Sequence, residues 1–364
     1  MSEETEPRAL NRALLARQLL LERVALPVPD AIARLGALQA QEPRPPFVGL
    51  WTRLAGFAAE DLRTALVGGD VVRATWVRGT LHLVTPGDYL ALRTTLQDAL
   101  VAGAQSIARQ RGGEADVGAV TVAAREVLAD GPRTFDEIRA GLLERLPDVE
   151  ERTLGYVARM AVPLVMVPGE ERWAFPRDVP FALAASRLGR EPDREVRAAE
   201  LVRRCLAAYG PMTVADLQTW TGVKPLKDVV AGIRDELVAF RAGRRELLDL
   251  PDAPRPGPDA DAPARFLPEF DGVLLAHADR TRIIADEHRP AVFTRNLRVR
   301  ATFLVDGVVA GTWSAERKRG VATVRLAPFG RLARADRAAL EAEADGLVRL
   351  LEPEADDVTV VVER

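Results

Sequence analysis

Gln39 and Gln41, one residue apart in GALQAQEPRPP (residues 36–46), put two primary amides on one short segment. Each amide carries a carbonyl acceptor and two N–H donors and stays neutral at ordinary pH. Such a pair can orient a water or a polar substrate; it is not a proton-abstracting base. Cooperation between the two depends on the backbone beneath them. Ile32, Leu35 and Leu38 have the spacing of a buried helical face, on a helix starting near Asp30 after Pro27 and Pro29. On a continuing helix, residues two apart point about 200° away from each other. Pro43 disfavours the helical region before it, and in extended chain positions i and i+2 share one side, with Ala40 turned toward the core. The expectation is therefore extended chain on which the two amides can converge, against the plainer reading of a solvated polar loop end.

A second stretch, TWVRGTLHLVTPGDYLALR (residues 75–93), alternates in hydropathy. Leu81 and Leu83 fall on one face of the expected strand, and Thr80 and His82 on the other. Thr85, Pro86 and Asp88 then start a helix as N-cap, first residue and first-turn acid. Arg78 and His82 are candidates for lining a binding site, against the plainer reading of hydrogen-bonded structural residues. Between His277 and Arg325 ten Lys or Arg stand against five Asp or Glu, a local excess that suits an anionic partner. Within it, Arg317, Lys318 and Arg319 in SAERKRG are expected at a hairpin tip where they can meet phosphates or a minor groove; a solvated turn kept polar to protect a sheet edge is the alternative.

The elements that must position these residues are repetitive. VLADGPRTFDEIRAGL (127–142) resembles CLAAYGPMTVADLQTW (205–220), with Pro132 and Thr134 recurring 79 positions later as Pro211 and Thr213. In both, a helix ends at Gly-Pro and the next starts on Thr with an acid three places on, Glu137 or Asp216, which is the capping-box pattern. A third helical segment and an apolar hairpin follow each copy, at 163–176 and 236–251, giving the winged-helix plan. The N-terminal segment can be fitted to the same plan more loosely, with residues 75–85 as its wing strand.

The expected fold class is thus α+β. Three tandem winged-helix units (1–112, 113–192, 193–252) precede residues 253–364, a linker and a small β-rich C-terminal domain. The linker is PDAPRPGPDADAPA (251–264), rich in proline and aspartate. Asp306-Gly307 then marks a tight hairpin, and RADRAALEAEADGLVRLL a helix.

At 364 residues the chain is too long for one ordinary core. One cysteine excludes an internal disulfide, and three histidines leave little for a metal site, so no metal and no cofactor are expected. The net charge of −3 argues against coating nucleic acid by charge alone. No apolar run suits a membrane span and the N-terminus lacks a secretory pattern, so a cytoplasmic monomer without membrane contact is expected.

The blocks ALQAQEPRPPFVGLWTRL, WVRGTLHLVTPGDYLAL, FLPEFDGVLLAHADR and FLVDGVVAGTW together resemble the AlkZ family of winged-helix DNA glycosylases, over about residues 10–330. The resemblance implies a channel for double-stranded DNA formed by three winged helices and a β-domain. It also implies excision of alkylated purines, with unhooking of interstrand cross-links. The family motif, Gln, an apolar residue, Gln, falls on Gln39-Ala40-Gln41, which implies a catalytic role for Gln39 and Gln41. A related branch typified by YcaQ carries aspartate at the second position, so Gln41 places this chain on the AlkZ-like side. A DNA-contacting hairpin is a further family feature, assigned here to Arg317, Lys318 and Arg319.

Two other classes of function fit the repeats. A non-catalytic winged-helix regulator would bind duplex sequence-specifically and ignore lesions. A protein-interaction scaffold would show no salt-dependent DNA binding.

Overall fold

The computed structural model describes residues 3–110 and 113–363 and is a mixed α+β fold with three sheets. Both expected capping boxes form. Thr134 Oγ1 accepts from the Glu137 N–H and a Glu137 carboxylate oxygen accepts from the Thr134 N–H, opening the helix Phe135–Arg145. Thr213 and Asp216 do the same for Val214–Thr221. Reciprocal capping satisfies two backbone donors and is worth about 1 kcal/mol per cap. Asp216 also accepts from the Ala278 N–H through its other oxygen, so one cap ties this helix to the chain beyond the linker.

Each copy supplies three helices: Val117–Val127, Phe135–Arg145 and Glu151–Ala161, then Ala198–Tyr209, Val214–Thr221 and Lys227–Gly232. The hairpin expected at 236–251 forms, with Val238–Ala242 antiparallel to Arg245–Asp249 and Gly243 at positive φ in the turn. Glu3–Glu4 adds to it in parallel, a strand the sequence did not signal.

The hairpin expected within 163–176 is displaced. Leu164–Met166 pairs with Pro180–Leu183 instead. Between them the chain turns tightly, with the Gly169 N–H on the Ala174 carbonyl and Ala174 at φ 64°. Trp173 and Phe175 pack into the core around Phe47, drawing the chain away from Leu164–Met166. The apolar run 179–183 provides the partner strand.

Residues 75–85 also differ from a single wing strand. Val72–Thr75 and Leu81–Val84 form an antiparallel hairpin, joined by a connection in which Arg78 and Gly79 both have positive φ. This hairpin lies in a six-stranded sheet in the order Leu38–Gln39, Leu81–Val84, Val72–Thr75, Leu164–Met166, Pro180–Leu183, Arg133–Thr134. The Ala74–Val165 pairing joins strands of the first two helical groups into one layer.

Residues 251–264 hold no helix or strand, yet Arg8 and Arg12 donate to the Pro258 and Ala260 carbonyls and pin them to the N-terminal helix. Beyond them lies a five-stranded sheet with the helix Arg334–Leu351. Asp306 and Gly307 make the tight turn between Thr302–Val305 and Val308–Lys318, both with positive φ. Asp357–Val362 closes the sheet in parallel beside Val321–Pro328.

Candidate active site

The helix under the glutamine segment runs over Val28–Leu35 and stops at Gly36, which takes the left-handed conformation (φ 74°) that glycine adopts without a Cβ penalty. The switch to extended chain therefore happens at Gly36, seven residues before Pro43. Leu38 and Gln39 then pair with Leu83 and His82, and the Ala40 N–H donates to the Leu81 carbonyl at 2.7 Å. Ala40 is fully buried, Gln39 half-buried and Gln41 exposed. The expected arrangement of Ala40 in and both glutamines outward is present, produced by a glycine cap and strand pairing.

Both amides engage one short connection, residues 76–80, and its edge. Gln39 Oε1 accepts from Arg78 Nη2 at 2.8 Å, and Gln41 Oε1 accepts from the Leu81 backbone N–H at 3.4 Å. Arg78 is itself held from the far side. Its Nη1 donates to the Trp220 carbonyl at 3.1 Å and its guanidinium carbon lies 4.0 Å above the Trp220 ring. Burial pulls the Arg78 pKa down to about 10, leaving it a cation at neutral pH. With these contacts Arg78 is committed to the protein interior more than to an outside ligand.

His82 is the cross-strand neighbour of Gln39 and has no exposed surface. Its Nδ1 donates to the Thr80 carbonyl at 3.1 Å, so Nε2 is an acceptor, and it has no partner among the described residues. Burial, with a smaller contribution from the Arg78 charge, holds the imidazole pKa down to about 3. His82 is a neutral buried group beneath the site, out of reach of a ligand at the surface.

Arg73 is a functional candidate that sequence reasoning missed. Its Nε donates to the Ala40 carbonyl at 2.8 Å, its Nη2 to the Gln41 carbonyl at 3.0 Å, and its guanidinium lies over Phe175 at 4.7 Å. It clamps the backbone that carries both glutamines. The available signal was a lone charge in the apolar run VVRATW, where only a partnered arginine can be buried.

The expected basic hairpin is placed differently in detail. Arg317 and Lys318 lie in the strand Val308–Lys318 and the turn is Arg319-Gly320, both at positive φ. Arg317 donates to the Glu354 carbonyl at 2.8 Å, and Lys318 pairs with Glu316 at 2.7 Å. No hydrogen bond or ion pair joins these three residues to Gln39 or Gln41 among the described residues.

A second missed feature is the turn TRNLRVR (294–300), closed by the Phe293–Val299 bridge and by Thr294 Oγ1 accepting from the Arg298 N–H. At its tip Leu297 is 88% exposed with φ 58°, flanked by the exposed Arg295, Arg298 and Arg300. A cleft of about 580 Å³ runs from Glu42, Pro43 and Arg44, next to Gln41, past Trp173 and Trp313 to Arg298. The glutamine segment and the base of this turn thus border one cleft.

Among the described residues no helix is long and apolar enough to cross a membrane, and no group of three or more His, Cys, Asp or Glu could hold a metal ion.

The family model "DNA glycosylase AlkZ-like" matches residues 32–350. The interstrand DNA cross-link repair glycosylase of Streptomyces sahachiroi is 27% identical over 358 residues, covering 92% of this chain and 93% of that protein. The solved structure of Streptomyces sahachiroi DNA glycosylase AlkZ superposes with a TM-score of 0.82 at 23% identity, covering 99% of this chain and all of the other. The matched model spans most of the length and includes the glutamine pair, the Arg78 hairpin and the cleft: the chain belongs to the AlkZ-like DNA glycosylase family.

Proposed function

We propose that the protein is a monofunctional glycosylase that hydrolyses the N-glycosidic bond of N7-alkylated purines in double-stranded DNA and unhooks interstrand cross-links, with Gln39 and Gln41 orienting the attacking water. The observation that carries this reading is the convergence of both amide oxygens on one hairpin, Gln39 on Arg78 and Gln41 on Leu81, beside an open cleft. The proposed architecture is three tandem winged helices and a β-domain forming a DNA channel. Two helical triplets, the second followed by its expected hairpin, support two of these units.

The chemistry suits neutral amides. Glycoside hydrolysis proceeds through an oxocarbenium-like state and usually needs an acid for the leaving group and a carboxylate opposite. An N7-alkylated purine is already a cation. When the C1′–N9 bond breaks, the electron pair stays on the purine and neutralises it, so no proton donor is required. Water adds its oxygen to C1′ and then loses a proton to solvent. The protein's task is positioning, which side-chain amides perform. A cross-linked base remains tethered to the opposite strand and cannot be fully extruded, which an open cleft accommodates better than a closed pocket.

DNA contact is assigned to the basic turn around Leu297 and to Arg317, Lys318 and Arg319. An exposed aliphatic side chain among arginines suits a minor groove, where cations are attracted and apolar groups unstack bases. The protein acts as a cytoplasmic monomer in this reading.

The test is single-turnover release of N7-methylguanine from a duplex, comparing wild type with Gln39→Ala and Gln41→Ala at matched DNA affinity. Release that collapses in both variants while binding persists supports the reading. Firm binding to undamaged duplex without any release transfers it to a winged-helix regulator.

A further inference from the structure

We infer that Arg78 divides the work of the two glutamines: by holding Gln39 Oε1 it presents Gln39 as the N–H donor to the attacking water and leaves Gln41 as the acceptor. This rests on the glycosylase reading above.

A guanidinium has only donors, so the amide facing Arg78 Nη2 at 2.8 Å must present its oxygen there. Rotating the amide by half a turn would set N–H against N–H. The bond is charge-assisted and half-buried, so its preference is strong. Arg78 cannot follow a rotating amide. Its other terminal nitrogen is on the Trp220 carbonyl, its guanidinium carbon lies 4.0 Å over the Trp220 ring, and its own backbone sits at φ 58° with Gly79 at 69° behind it. Gln39 therefore has one orientation, with its N–H₂ end left for a ligand. The cation on the oxygen also withdraws electron density from the amide, making Nε2 a better donor and Oε1 a poorer acceptor.

Gln41 is held differently. Among the described residues its side chain has a single bond, to a neutral backbone N–H at 3.4 Å, near the limit of hydrogen bonding, and it is exposed. Its carbonyl can turn toward a water with little loss. Other charged groups near the pair include Arg73, whose Nε and Nη2 are on the carbonyls of Ala40 and Gln41, Glu42, whose charge acts on Arg73, and Arg44, which lines the cleft beside Gln41. His82 is neutral. No carboxylate is hydrogen-bonded to either amide among the described residues.

In this arrangement Gln39 Nε2–H holds one lone pair of the water and Gln41 Oε1 accepts one of its hydrogens. The second lone pair attacks C1′ as the neutral alkylpurine departs with the electrons of the C1′–N9 bond. The remaining excess proton leaves to solvent. Arg78 is a positioning residue, acting through Gln39.

The experiment is single-turnover release of N7-methylguanine by the full chain at saturating protein between about pH 5 and 9, with duplex affinity and melting temperature measured in parallel. Gln39→Glu keeps the size of the side chain and its bond to Arg78 but removes both donors. Its release rate is expected to fall about 100-fold at every pH. Gln41→Glu keeps an acceptor; its rate is expected to fall less and to rise with pH as the carboxylate ionises. Arg78→Met is expected to lose about 10- to 100-fold with unchanged duplex affinity, and Arg78→Lys to restore part of it. An active wild type with Gln39→Glu within about threefold of it overturns the division of work and leaves the glycosylase reading standing. So does an equal, pH-independent fall in Gln39→Glu and Gln41→Glu. No release by the wild type overturns the glycosylase reading, and the inference with it.

Discussion

Arg73 Nε is 2.8 Å from the carbonyl oxygen of Ala40, and Nη2 of the same guanidinium reaches the Gln41 carbonyl at 3.0 Å. Both oxygens would otherwise be acceptors at the end of a short strand, where the ladder stops. Arg73 is 4% exposed, and its burial has pulled its pKa down to about 10. Replacing it with Met leaves two carbonyls without a donor but no stranded charge. Charge-assisted bonds of this kind are worth about 1.5–3 kcal/mol each before relaxation, so a loss of roughly 2–4 kcal/mol is expected from urea denaturation. Base release by Arg73→Met should fall further than folding alone explains when assayed well below the unfolding transition, because the amide pair loses its fixed backbone.

Arg17 and Asp249 form an ion pair at 2.7 Å with neither side chain exposed, tying the N-terminal helix to the strand Arg245–Asp249. Arg255 adds a second cation on Asp249 at 2.8 Å. Burial lowers the pKa of Arg17, and Asp249 counteracts this. Asp249→Asn leaves two arginines facing a neutral amide. Breaking one partner of a buried pair costs about 3–5 kcal/mol, and that loss should appear in the urea midpoint. Arg17→Met in the same chain should recover part of it, since the orphaned charge is then gone.

Local chemistry was legible in the sequence wherever neighbours in the chain decide the structure. Thr134 with Glu137 and Thr213 with Asp216 lie three residues apart, and the cap needs nothing else. Asp306-Gly307 made its turn for the same reason. The glutamine pair was legible in its outcome but not in its cause, because Gly36 ended the helix before Pro43 could act. What escaped the reading depends on distant chain. Arg73 meets Ala40 across 33 positions, and Arg78 meets Trp220 across 142. The hairpin expected within 163–176 was misplaced because the apolar residues Trp173 and Phe175 belong to a core built around Phe47, a competition that alternation in one segment cannot reveal.

Two buried histidines set a pH dependence of stability. Burial holds His82 at about 3 and His277 well below its ordinary value, while both are near 6.5 once unfolded. Between those values the unfolded chain binds protons that the folded chain refuses. Their contribution is complete above about pH 6.5 and is lost as pH falls toward about 3, with a slope of up to about 1.4 kcal/mol per pH unit for each histidine. His82→Gln should reduce the slope of unfolding free energy between pH 6 and 4 by about one proton. An unchanged slope would mean that His82 is already protonated in the folded protein.

The arginines proposed to meet DNA differ in what they must give up. Arg317 is on the Glu354 carbonyl and near its carboxylate, Lys318 is on Glu316, and Arg298 is on Glu269. Each of these exchanges a protein partner for a phosphate, so part of its gain on binding is cancelled. Arg295, Arg300 and Arg319 are exposed and have no carboxylate partner among the described residues. Counterion release counts cations that newly neutralise phosphate, lowering log K by about 0.9 per contact for each tenfold rise in salt. Arg295→Ser, Arg300→Ser and Arg319→Ser should each reduce the salt slope of duplex binding by nearly one, while Arg317→Ser and Lys318→Ser should reduce it by less. Leu297→Ser removes no charge and should leave the slope alone while weakening affinity, since only an apolar insertion is lost. A slope that falls for Arg317 and Lys318 but not for Arg295 and Arg300 would move the duplex to the Arg319 hairpin. The turn beside the cleft would then have no part in binding.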